Sequence, residues 1–67
     1  MMNDDKIFEY LLSDLRDKER NVQESIGAGA AQDYPAYREM CGQIRGLMYA
    51  QNLIHDLVRK LERNDDD

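Results

Sequence analysis

The chain is poor in the residues that staple or anchor small proteins: it has one cysteine, one histidine, one proline and no tryptophan. With Cys41 alone, no disulfide can form within the chain. One cysteine and one histidine cannot supply the four ligands of a structural zinc site, so no metal and no other cofactor is expected. No apolar run approaches the roughly 18 residues of a membrane span. The start MMNDDK has no apolar segment behind a basic end, so neither a membrane partner nor a signal peptide is expected. A lone thiol suits a reducing compartment. Chemistry is equally thin. There is no glycine-rich phosphate loop, no carboxylate pair on a scaffold with a pocket and no metal-ligand spacing, so an enzyme is not expected and no catalytic residue stands out.

What the chain does have is charge and periodicity. The formal net charge is −5, of which Asp65, Asp66 and Asp67 supply −3, leaving −2 for the remainder. A mildly acidic body argues against non-specific nucleic-acid binding. A chain of 67 residues makes one small unit, and such a unit rarely draws more than about 3–5 kcal/mol from its core. With disulfides and metals set aside, association with other chains is the remaining source of stability, which points to an oligomer or a subunit.

In the first segment, Phe8, Leu11, Leu12, Leu15, Val22 and Ile26 recur at three, four and seven residues, the spacing of an apolar helical stripe. Asn3 or Asp4 can cap its start, and Lys18 with Glu19 interrupts its middle. Gly27 and Gly29 can end this helix through the left-handed conformation. Asp33 can cap a second helix, with Tyr34 and Pro35 in its first turn. In that helix Met40, Leu47, Ile54 and Leu61 fall at intervals of seven, accompanied by Tyr37, Ile44, Gln51 and Val58. Four repeats with one polar position suit a coiled-coil-like seam. The expected fold is therefore all-α: an antiparallel two-helix hairpin with a coiled-coil-like seam, expected to be oligomeric. It occupies 1–63 as a single unit, with a helix over about 4–27, a turn over about 28–34 and a helix over about 35–63. A disordered acidic tail is expected over 64–67. At 1.5 Å per residue the rod is roughly 40 Å long.

The second helix carries a further pattern. Gly42, Gly46 and Ala50 are four residues apart, flanked by Tyr49 and Leu53, and this strip is turned well away from the seam. Each glycine costs roughly 1 kcal/mol of helix propensity against alanine, and small residues in a row let another backbone come close. Either the first helix and its Gly27–Ala31 end cover both faces, or the strip meets a second chain or another protein. Arg38 and Arg45 are seven apart, with Arg59 continuing the row, and can set orientation through charge or pair with phosphate. Their neighbours Glu39, Asp56 and Glu62 also fit an ordinary solvated face. His55 and Asp56 are adjacent, and adjacent helical residues do not face each other, so His55 reads as a solvated or seam-edge residue. Cys41 reads as a small buried hydrophobe, and Tyr10, Tyr34, Tyr37 and Tyr49 form no stacking platform.

The run Tyr37-x3-Cys41-Gly42-x-Ile44-x-Gly46-Leu47-x2-Ala50, followed by Ile54, Leu57 and Leu61, resembles a pattern in short helical proteins of tailed bacteriophages, found among head and tail morphogenesis genes. It covers roughly residues 34–62. The resemblance implies a phage protein of the host cytoplasm or the particle, with the paired glycines as contact positions and no catalytic site to carry over. The leading expectation is a non-enzymatic structural or assembly factor acting through helix–helix contacts, with itself or a larger phage structural protein as partner. The alternative is a small regulator that binds and inhibits a host protein with the same surface, as a helix in a groove. Nucleic-acid binding through Arg38, Arg45, Arg59 and Arg63 is a weaker third reading, which requires an affinity that falls steeply with salt.

Overall fold

The computed structural model describes the backbone of residues 4–66 and the side chains of residues 6–63. Two helices, α1 (Asp4–Gly27) and α2 (Tyr34–Asp66), pack against each other as a helical hairpin, and no strand occurs among the described residues. The candidate cap Asn3 lies outside them, as does Asp67.

Backbone chemistry fixes the turn. The Gly29 N–H donates to the Ile26 carbonyl at 3.0 Å and the Ala30 N–H to the Ser25 carbonyl at 2.9 Å. Gly29 itself has φ +83°. This pair of bonds around a left-handed residue is the Schellman arrangement, which satisfies carbonyls that the end of α1 would otherwise leave open. The alanines at 28, 30 and 31 therefore do not prolong α1. Four residues further on, Asp33 Oδ1 accepts from the Ala36 N–H at 2.9 Å, and the Asp33 carbonyl accepts from the Tyr37 N–H at 3.0 Å. Asp33 is thus the N-cap of α2, with Pro35 in the first turn where its missing N–H costs nothing.

The far end of α2 departs from expectation. The apolar pattern stops near Arg63, yet the helical backbone continues to Asp66, three residues past the expected end. No glycine or proline stands in this stretch to interrupt the i→i−4 bonds, and Arg63 in the last turn complements the negative end of the dipole. The 33 residues of α2 make the molecule longer than the expected rod, with extents of 52 × 19 × 14 Å.

Between the helices the packing is thin. Leu12, at 8% exposure, is the buried hydrophobic residue among those described. Around it Phe8, Leu15, Val22 and Ile26 of α1, and Met40, Ile44, Leu47, Ile54 and Val58 of α2, are half-buried. Three positions assigned to the stripes by spacing are instead exposed: Leu11, Tyr37 and Leu61. Two cylinders touch along one line, so only the residues nearest that line lose their water. Tyr37 lies beyond the reach of α1, near the turn, and its ring stacks on Tyr34 at a centroid distance of 6.3 Å.

The polar interruptions of the two stripes meet each other. Gln51 Nε2 donates to Glu19 Oε1 at 2.8 Å and to the Leu47 carbonyl at 3.1 Å, while Gln23 Nε2 donates to Glu19 Oε2 at 3.1 Å. A half-buried carboxylate that accepts from two amides is satisfied. Both partners lie at one level of the hairpin, so the bond also favours a single register of one helix against the other.

Candidate interaction surface

The hairpin has two broad faces, which differ most toward its open end. At 100° per residue, Ile7 and Leu11 are turned about 100–140° to one side of Leu12, and Gly46, Leu53, Leu57 and Leu61 about 40–120° to one side of Leu47. Which sides coincide is settled by the grooves between the helices. Lys18 and Val22, on the Leu11 side of α1, line one groove with Gln43 and Gly46 of α2. Glu9, on the other side of α1, lines a second groove with His55 and Glu62. One face therefore collects Ile7 and Leu11 with Leu53, Leu57 and Leu61, all 40–54% exposed. The other presents Glu9, Asn52, His55, Asp56 and Glu62, with Met48 exposed nearer the turn.

The apolar face is densest at the open end of the hairpin, where the start of α1 lies beside the end of α2. Toward the turn it changes from leucine to small residues. Gly42 and Gly46 are exposed, and a Cβ added at either would meet nothing within 4 Å. The first helix does not cover this strip, so the cost of two helix-interior glycines is not offset inside the hairpin. Ala50 differs from the glycines: it is half-buried at the edge of the seam. Tyr49 and Leu53 are exposed beside the strip.

The arginines are placed differently from one another. Arg38 reaches back to Tyr34, with its guanidinium carbon 5.9 Å from the ring centroid and Nη1 3.4 Å from the hydroxyl. Arg59 is paired with Asp56 at 2.6 Å. Arg45 is exposed and takes part in neither of the ion pairs found among the described residues. The row is thus divided by local partners. Arg38 and Arg45 lie on the back of α2, about 160–180° from Leu47, and border the glycine strip rather than the leucines.

Cys41 is half-buried and, as the neighbour of the Tyr37 hydroxyl, is the largest cause holding that hydroxyl's pKa above its ordinary value. No group of three or more histidine, cysteine, aspartate or glutamate residues that could hold a metal occurs among the described residues. Neither described helix is long and apolar enough to cross a membrane.

Sequence spacing alone misses Ile7 and Leu57 as surface residues and assigns Leu11 and Leu61 to the seam. A signal for them exists: Leu53, Leu57 and Leu61 recur at four, a second stripe beside the first. No protein-family model matches the chain, and no curated protein or solved structure shows significant similarity to it.

Proposed function

We propose that the protein is a non-enzymatic structural or assembly factor of a tailed bacteriophage. In this reading it is an antiparallel helical pair with a coiled-coil-like seam, acting in the host cytoplasm or the particle through its second, apolar face. The observation that carries the proposal is the imbalance between the two surfaces of α2. The seam buries little, whereas Leu53, Leu57 and Leu61 stand exposed in one line beside Ile7 and Leu11. Exposed leucines gathered on one face support a reading as a protein contact. Gly42 and Gly46 extend it with a surface that lets a backbone approach closely.

Two observations test the reading. A gene lying outside any phage genome removes the assembly role at once. Within its phage, Leu57→Asp should lower the yield of intact particles at least tenfold while the chain stays folded and at its normal level. An unchanged yield overturns the role. A folded monomer that binds one host protein through the same leucines, with particle assembly unaffected, replaces the role with that of a regulator using a helix in a groove.

A further inference from the structure

We infer that the apolar face is covered by a second copy of the same chain, with α2 lying antiparallel on α2 of the partner copy about a two-fold axis level with Tyr49 and Ala50. The inference rests on the helix–helix reading above and adds a partner and a register.

The first support is area. By the scaling of folded monomers, a 7.9 kDa protein has an accessible surface of about 4,400 Å². The hairpin exposes 5583 Å², an excess of about 1,200 Å² over that scaling. Removing the excess from each of two copies buries about 2,400 Å² in total, within the range of obligate homodimers.

The second support is that the face complements itself. A two-fold axis between residues 49 and 50 places residue i of one helix level with residue 99 − i of the other. Leu53 then lies level with Gly46 of the second copy, and Leu57 with Gly42. Each protruding leucine meets a position that has no side chain and open space around it. Tyr49 lies over Ala50. In the same register Lys60 lies level with Glu39, both exposed on this side of α2 and outside the ion pairs found among the described residues. Size and charge therefore match at once, as an isologous interface requires.

The third support comes from α1. Glu19 is level with Gln51, so the same axis crosses α1 near Arg20 and Asn21. Leu11 of one copy then lies level with Ala30, among the small residues of the turn in the other, and Ile7 lies level with Tyr34. The leucine-rich end of each hairpin covers the small-residue end of its partner, giving a four-helix arrangement.

The test uses the full chain with Cys41→Ser. Adding Ala50→Cys should give a disulfide-linked dimer on mild oxidation, whereas Asn52→Cys, on the polar face, should not. Equal cross-linking at both positions, or none at Ala50→Cys, overturns the inference. A second measurement does not depend on a cysteine. Lys60→Glu and Glu39→Lys should each weaken dimerisation by roughly three- to thirtyfold, because two symmetry-related pairs turn repulsive, and the double variant should recover most of the loss. Weakening that merely adds in the double variant overturns the register. A dimer that fails both tests leaves the helix–helix reading standing with a different contact. A chain that stays monomeric in sedimentation overturns the second-copy inference, and particle yield then decides the wider reading.

Discussion

The bond between Glu19 and Gln51 yields the sharpest prediction about the hairpin itself. Gln51→Leu removes the amide that reaches across the helices at 2.8 Å and leaves Glu19 with Gln23 alone. A hydrogen bond to a charged group is worth about 1.5–3 kcal/mol, and partial exposure of the pair brings the expected loss to about 1 kcal/mol. Glu19→Leu leaves the Gln51 amide its bond to the Leu47 carbonyl, so this change should cost less, about 0.5 kcal/mol. The double variant removes both polar groups and completes the apolar stripe on each helix. Its stability should equal or exceed that of the wild type, because paired polar groups replaced together leave nothing unsatisfied. The coupling in the cycle is then about 1–2 kcal/mol. Urea unfolding followed by helical circular dichroism, at one fixed protein concentration, reads it directly. A loss of 1 kcal/mol moves the midpoint by up to about 1 M for a small protein. Single losses that add in the double variant would refute the claim that these side chains meet.

Three further outcomes follow from local chemistry. Asp33→Ala removes the acceptor for the Ala36 N–H and should cost about 1 kcal/mol in the same unfolding assay; Asp33→Asn should cost much less. Gly29→Ala forces a side chain into φ +83° and should cost about 1–2 kcal/mol from strain alone, since the added carbon meets nothing within 4 Å. Tyr37 titrates above its ordinary value in the folded chain, so its neutral form is the one the fold favours. Its contribution is complete below the unfolded pKa and is lost as pH rises through the higher folded pKa. Unfolding measured from pH 10 upward should show declining stability, and Tyr37→Phe should flatten that part of the decline.

Much of this hairpin is legible in one sequence because its signals are local. Asp33 followed by Tyr34 and Pro35 marks a helix start from chemistry within four residues. Gly29 marks a helix end in the same way. The seven-residue spacing from Met40 to Ile54 reports a buried line without knowledge of what lies opposite. The meaning of Glu19 and Gln51 is not local: each reads as a flaw in its own stripe, and only their common level turns two flaws into one bond. The apolar face is hidden for a related reason. Leu11 and Leu61 carry the spacing of core residues, but two helices bury a line too narrow to include them. Whether the side of Leu11 coincides with that of Leu57 depends on how the helices are rotated against each other. The glycines are visible as an anomaly in sequence, whereas the open space at both requires the structure.

The most direct test of the account is the molar mass of the intact chain by light scattering over a wide concentration range, for wild type and for Leu57→Asp. A covered apolar face predicts about twice the 7.9 kDa chain mass for the wild type at micromolar concentration, falling on dilution, and a single-chain mass for the folded variant. A wild-type chain that keeps the mass of one hairpin at every concentration, with Leu57→Asp indistinguishable from it, would contradict the claim that this face binds a second copy.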